Sequence, residues 1–252
     1  MYDYWLGGKD NFAADREAAD RSALAVPQLP WLAYQNRRFL GRAVRFCANA
    51  GITQFLDIGS GLPTMSNVHE VAEQVTADPH VVYADNDPVV VSHGQALLAS
   101  PRTAAIHGDL TRSEEILDAA DVRRLIDFAR PVAILLVAVL HFVPNEAGAA
   151  ENVAKLRDVM APGSCLVISH VMMAPGQVAG DQLSETAREL GEARKGMSQA
   201  ASRNREEIAA FFGDMTLVDP GLTEAWSWRP DDDQVVTGSE VMTLLAGVAR
   251  KD

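Results

Sequence analysis

FLDIGSGLPT, residues 55–64, decides the fold. The segment that leads into it, ITQFLDIG at 52–59, is short, β-branched and apolar on both faces. A strand covered by helices on both sides reads this way, whereas a strand with one wet face alternates apolar and polar residues. It runs into a turn carrying Gly59 and Gly61, and the next helix is expected to start near Thr64. Upstream, NRRFLGRAVRFCANA at 36–50 sets Phe39, Ala43, Phe46 and Cys47 at helical spacing, with Gly51 as the terminating residue.

The same unit repeats downstream. HVVYAD at 80–85 reads as a second strand, Asp87 and Pro88 as N-cap and first helical residue, and VVVSHGQALLAS at 89–100 as the helix. TAAIHGD at 103–109 is the third strand, and Thr111 and Glu114 have capping-box spacing ahead of another helix. PVAILLVAV at 131–139, the helical EAGAAENVAKLRDVMAP at 146–162 and GSCLVISHV at 163–171 continue the alternation. TLVDP near 216 and MTLLAGVARK near 242 are expected to close the sheet as a hairpin-like pair. Strands alternating with helices predict an α/β, doubly wound, mostly parallel sheet with helices on both faces, which binds ligands outside the carboxyl ends of its strands.

Length and charge narrow the function. A chain of 252 residues with 48% apolar residues supports one large domain with a full core. A net charge of −12 repels phosphate backbones, so a nucleic-acid partner is not expected. PVAILLVAVLHFV at 131–143 is too short to span a bilayer, and no membrane association is expected. The N-terminus lacks the continuous apolar region of a secretory signal. Cys47 and Cys165 lie far apart in apolar stretches, which suits reduced buried thiols and makes a cytoplasmic location the default.

The glycine turn carries the chemistry. Gly59, Ser60 and Gly61 let backbone approach a ligand. In a dinucleotide-binding turn a third Gly or Ala would stand at position 64; Thr64 stands there, which weighs against a nicotinamide-dependent oxidoreductase. Asp57 inside the motif matches the acidic loop that cradles S-adenosylmethionine, whose amino group and ribose offer donors to a carboxylate. Asp85, with Asn86 beside it, falls near where an acid meets ribose hydroxyls in nucleotide folds. A turn-forming role for Asp85, and a capping role for Asp87, stand as the alternatives. Asp109, followed by Leu110, ends the third strand and is a candidate acceptor for an adenine amino group.

The sequence resembles class I S-adenosylmethionine-dependent methyltransferases, and within them an actinobacterial family of uncharacterised S-adenosyl methyltransferases. The resemblance rests on YDYWLGGKDNFAADRE at 2–17, NRRFL at 36–40, QFLDIGSGLPT at 54–64, NVHEVA at 67–72, VVYADNDPVV at 81–90, PVAILLVAVLHFVP at 131–144 and WRPD at 228–231. It implies a Rossmann-like, seven-stranded sheet with S-adenosyl-L-methionine above its first two strands, and cofactor roles for Asp57, Gly59, Gly61, Asp85 and Asp109. It implies no known acceptor. The chain begins within the family's first motif, so a helix ahead of that motif is expected to be missing.

The remaining candidates come from residue chemistry. The polar run Gly7 to Asn11 is unsuited to a core and is expected to act as a lid over bound ligand. Lys9 and Arg37 are candidates for the methionine carboxylate, with surface cations as the alternative. His141 follows the fourth strand on the side where the transferred methyl would point; it is either the general base or a strand-end histidine bonded to backbone. His170 is a similar, weaker candidate, and His69 is expected to orient the glycine loop. Asp231 to Asp233 lack metal-ligand spacing and read as a solvated loop, so no metal is assigned.

The chain is thus expected to form one domain over 1–252. It comprises an N-terminal lid and helices to 50, a cofactor-binding core over 51–175, a helical insertion over 176–213 and C-terminal strands over 214–252. The mixed-charge stretch 187–207 is expected to be exposed and to lie over the acceptor pocket, with Met197 and VMMAP at 171–175 as candidate lining. The expected activity is methyl transfer to an unknown acceptor, a small molecule by preference. The alternative is a non-catalytic module that binds S-adenosylmethionine.

Overall fold

The computed structural model describes residues 1–63, 66–173, 201–231 and 242–252. Three N-terminal helices, α1 (Tyr2–Trp5), α2 (Ala13–Ala25) and α3 (Leu29–Asn49), precede the sheet. Strands β1 (Gln54–Ile58), β2 (His80–Asp85), β3 (Thr103–His107), β4 (Ala133–Val137) and β5 (Cys165–Met173) follow. Between them lie α4 (Val68–Glu73), α5 (Pro88–Leu97), α6 (Ser113–Asp118), α7 (Ala120–Leu125) and α8 (Ala149–Val159). The chain ends with α9 (Arg205–Ala210), two short strands β6 (Thr216–Leu217) and β7 (Thr223–Glu224), and β8 (Met242–Arg250).

The strand order is β3-β2-β1-β4-β5-β8-β6, with β7 also paired to β8. Strands β1 to β5 are parallel and β8 is antiparallel to β5. Because β5 occupies one side of β8 along its whole length, β6 and β7 share the other side, and eight strands fill seven sheet positions. The reversal of winding between β1 and β4 opens the crevice in which such sheets bind ligands.

Both faces of the sheet are covered, as the unbroken apolar strands require. Phe55, Val81, Leu135 and Val167 pack under α3 with Phe39, Ala43, Val44 and Cys47. Leu56, Val82, Ile134 and Ile168 point the other way, against Ile116, Val122, Val153, Leu156 and Phe212. Cys47 and Cys165 are both free and buried and meet thiol to thiol across the α3 side. WRPD proves to be a strap across α3. Trp228 is fully buried, edge-on to Phe39 and Phe46 at 5.4 and 5.9 Å. Arg42 donates to the Trp228 and Ala225 carbonyls, and Asp231 pairs with Arg45 at 2.8 Å.

Several local expectations change. The helix after the glycine turn starts at Val68, not near Thr64, because Asn67 and Glu70 form the capping box that begins it. Thr111 and Glu114 do not form a box; Asp109 caps instead, accepting from Thr111 N and Oγ1 at 2.9 and 2.8 Å. Asn11 belongs to the interior, where its amide reaches the buried Asp3 carboxylate at 2.7 Å and the Gly8 carbonyl at 2.9 Å. Within the expected insertion, residues 201–213 contribute to the core through Arg203, Ile208, Phe211 and Phe212. Residues 174–200, with Met197 and the end of VMMAP, and the acids Asp232 and Asp233 lie outside the described residues.

Candidate cofactor site

The glycine turn is bolted to the end of β2. Gly59 N and Ser60 N donate to the Ala84 carbonyl at 2.7 and 3.3 Å, and Gly61 N donates to Asp85 Oδ2 at 2.8 Å. Gly59 has φ +77°, and a Cβ there would lie 2.5 Å from the Val139 side chain at the end of β4. Any side chain at 59 thus meets both a strained backbone and an occupied space. Gly61 differs: its φ is +67°, but a Cβ would enter open space.

Asp85 does what its turn-forming alternative says, since Oδ1 also accepts from Asp87 N at 2.9 Å. Each oxygen keeps acceptor capacity beyond these single bonds, so a ribose role remains compatible with the turn role. Asp87 caps α5 through Val89 N at 2.8 Å. Asn86 is exposed beside it.

Asp57 lies one residue before the end of β1 and is 5% exposed. No hydrogen bond to a described residue relieves its burial, which pushes its pKa up to about 7; the Arg37 guanidinium pulls it down and Asp85 pushes it further up. Its cross-strand neighbour is Tyr83. The Tyr83 hydroxyl accepts from His69 N at 3.0 Å and lies 2.8 Å from His69 Nδ1, so its own proton is available to that ring. Burial raises the phenol's pKa and keeps it neutral. His69 therefore ties α4, and with it the glycine turn, to β2.

Arg37 points into the same corner, with Nη2 3.4 Å from Asn67 Oδ1 and its charge felt by Asp57 and Tyr83. Lys9 is exposed on the turn after α1, and no contact with a described residue ties it to this corner. Asp109 ends its β3 connection with Oδ1 engaged in capping, and Leu110 is 4% exposed beside it.

A second cluster sits at the ends of β4 and β5. Ala138 takes φ +57°, unusual for a residue with a side chain, and its N–H is shared by Ser169 O and Oγ at 3.1 and 2.9 Å. Ser169 Oγ donates to Asn36 Oδ1 at 2.6 Å, Asn36 Nδ2 to the Tyr2 hydroxyl at 2.8 Å, and that hydroxyl to the Ala33 carbonyl at 3.0 Å. His141 lies in the short 3₁₀ turn Leu140–Phe142, 8% exposed, with its ring 5.5 Å from that of His170. His170 is fully buried; Nδ1 donates to the Val171 carbonyl at 2.6 Å while Nε2 faces Arg203 Nη1 at 3.1 Å, which fixes a neutral tautomer. Burial, with Arg203 adding to it, holds its pKa down to about 4. Tyr83, Ser169 and Arg203 were not among the expected site residues. Ser169 and Arg203 act through partners from distant parts of the chain, and Tyr83 acts through His69, 14 residues away.

Asp57 is the test of whether these residues suit a cofactor. A nearly buried carboxylate without a hydrogen bond to any described residue, beside a turn left open at Gly61, fits a group that brings its own donors, as the ammonium and ribose of S-adenosylmethionine do.

Comparison with known proteins identifies the family. The model of a family described as S-adenosyl methyltransferase matches residues 1–252. The crystal structure of a candidate methyltransferase from Thermobifida fusca YX is 43% identical, covering 99% of this chain and 92% of its own, with a TM-score of 0.86. A DUF574 family protein from Streptomyces avermitilis MA-4680 is 38% identical over 100% of this chain and 95% of its own, with a TM-score of 0.89. A candidate S-adenosyl-L-methionine-dependent methyltransferase from Saccharopolyspora erythraea is 27% identical over 193 residues, 74% of this chain. The chain spans 64% of that relative's length. With the full-length family match and two crystal structures superimposing over nearly every residue, the chain belongs to the S-adenosyl methyltransferase family.

Proposed function

We propose that this chain transfers the methyl group of S-adenosylmethionine to a small-molecule acceptor. The observation that carries the reading is the corner formed by Asp57, the Gly59–Gly61 turn and Asp85 at the carboxyl ends of β1 and β2. When bound, S-adenosylmethionine supplies an electrophilic methyl on a sulfonium. Asp57 accepts from its ammonium, Arg37 meets its carboxylate, Asp85 accepts from its ribose with Ser60 and Asn86 alongside, and Asp109 and Leu110 border its adenine. Lys9, on its exposed turn, is a second cation for the carboxylate when the turn closes.

The acceptor side is the post-β4 segment. Methyl displacement needs alignment and exclusion of water more than it needs an acid or base. His141 takes a proton only when the acceptor nucleophile carries one. A net charge of −12 argues against a nucleic-acid acceptor, no described helix is long and apolar enough to cross a membrane, and a cytoplasmic small molecule suits both facts.

The test is incubation of the protein with methyl-labelled S-adenosylmethionine and a panel of small-molecule amines, phenols, thiols and carboxylates, followed by mass analysis. Label in a low-mass product supports the reading. Tight cofactor binding with label transferred to nothing in the panel or in a metabolite extract favours a non-catalytic binding module instead.

A further inference from the structure

The segment after β4 is held from both faces of the sheet. On the α3 face the Ser169–Asn36–Tyr2 chain fixes its start at the strained Ala138. Such backbone persists only where its surroundings over-determine it. On the opposite face, among the described residues, one side chain holds the rest.

Arg203 is 3% exposed and uses all five of its N–H donors. Nη1 donates to the Leu140 carbonyl at 2.8 Å and Nη2 to the Val143 carbonyl at 2.7 Å. Nε and Nη2 reach Asn145 Oδ1 at 3.0 and 2.6 Å. The fifth donor, on Nη1, meets His170 Nε2 at 3.1 Å. Two residues earlier, Ala201 N donates to the His141 carbonyl at 2.8 Å, and the Phe211 ring lies 5.0 Å beneath the guanidinium. Four donors thus grip residues 140–145, and one grips the imidazole that faces His141.

We propose that Arg203 is a positioning residue for the acceptor side of the site: its planar fork fixes the post-β4 segment and locks His170 in one neutral tautomer against the His141 ring. The proposal rests on the reading that this segment borders the acceptor. A permanently charged donor on Nε2 leaves no lone pair there for a proton. His141 therefore faces an uncharged ring at 5.5 Å. Among the described residues, Glu207 of α9 acts on both His170 and Arg203, and Glu146 of the turn before α8 acts on Arg203, each favouring positive charge. Lysine cannot reproduce the arrangement, because an ammonium has three donors and no fork.

The test is nitrogen-15 NMR of histidine-labelled full-length protein titrated from pH 8 to 4.5, for wild type, Arg203→Met and Arg203→Lys. Calorimetry with S-adenosylhomocysteine runs on the same samples. Wild-type His170 is expected to stay neutral, in the Nδ1-protonated tautomer, down to about pH 5. In Arg203→Met its midpoint should rise by at least one pH unit and the His141 resonances should shift, while S-adenosylhomocysteine affinity stays within threefold. Arg203→Lys should fall between. Identical imidazole titrations in wild type and Arg203→Met overturn the proposal. If Arg203→Met does not fold, Asn145→Ala, which removes the acceptor of two of the five donors, should shift the His141 resonances, and unshifted resonances overturn the proposal equally. Failure of the wild type to bind S-adenosylhomocysteine would count against the cofactor reading, and the ring titrations would still decide the role of Arg203.

Discussion

The two ends of the crevice are built differently. At β1 and β2 the parts lie close in sequence: Gly61 reaches Asp85 across 24 residues, and His69 reaches Tyr83 across 14. At β4 and β5 the parts arrive from across the chain, with Ser169 bonded to Asn36 over 133 residues and Arg203 to the Leu140 carbonyl over 63. A site assembled inside consecutive strand-turn units can keep the same geometry while distant segments change. A site assembled from remote helices and loops can be re-aimed by changing any one of them. In a methyltransferase this division suits a constant cofactor and a variable acceptor.

The largest effect should come from breaking the cofactor end at its tightest point. Gly59→Val puts a branched side chain where a Cβ already lies 2.5 Å from Val139, on a φ of +77°. Strain and overpacking together should cost about 4 kcal/mol by thermal or urea unfolding and abolish cofactor binding. A variant that melts within 2 °C of wild type would show that the turn is not held as described.

Asp57 comes next, and here the sign matters. Its folded pKa of about 7 exceeds the ordinary 3.8, so between these values the folded protein holds a proton that the unfolded chain has lost. The contribution of Asp57 to the stability of the ligand-free protein is therefore greatest below about pH 4, falls as pH rises towards 7, and is flat above. The local slope contributed by this group approaches about 1.4 kcal/mol per pH unit. Asp57→Asn removes that slope, so at pH 8 it should melt higher than wild type while binding S-adenosylmethionine more weakly. Cofactor affinity of the wild type should rise with pH through 7, as the carboxylate ionises. Parallel stability curves for the two proteins would refute the burial argument.

Asp85→Ala removes two turn hydrogen bonds as well as the proposed ribose acceptor, and should weaken S-adenosylmethionine binding by about 1.5–3 kcal/mol. Unchanged calorimetric affinity would confine Asp85 to the turn. At the proposed acceptor end the contrast sharpens: His141→Ala should leave cofactor affinity within about 0.5 kcal/mol while lowering turnover on an identified acceptor by roughly 10²–10⁴. Equal turnover would make His141 structural.

The same division explains what could be read in advance. The β-branched runs at 52–59, 80–85 and 131–139, with the capping Asp87–Pro88 pair, carry strand and helix signals within a few residues, and the parallel sheet and the glycine turn follow from them. Asp57 and Asp85 were legible because strand ends place them. Arg203 was not. In RNREE it carries the pattern of an exposed helix, and only the carbonyls left open by the turn at 140–145 give it a reason to be buried. Asn11 sits in a glycine-rich polar run that reads as a loose lid, and its burial depends on a partner, Asp3, that itself looks like a surface acid. The capping role of Thr111 was misread because Asp109, two residues earlier, is the stronger acceptor for the same N–H.

The most direct measurement is calorimetric titration of the full-length protein with S-adenosylmethionine, S-adenosylhomocysteine and NAD at pH 8. The account predicts binding of the first two near micromolar, about −8 kcal/mol, and none of NAD. Binding of NAD, or of neither methyl-donor compound, would contradict it.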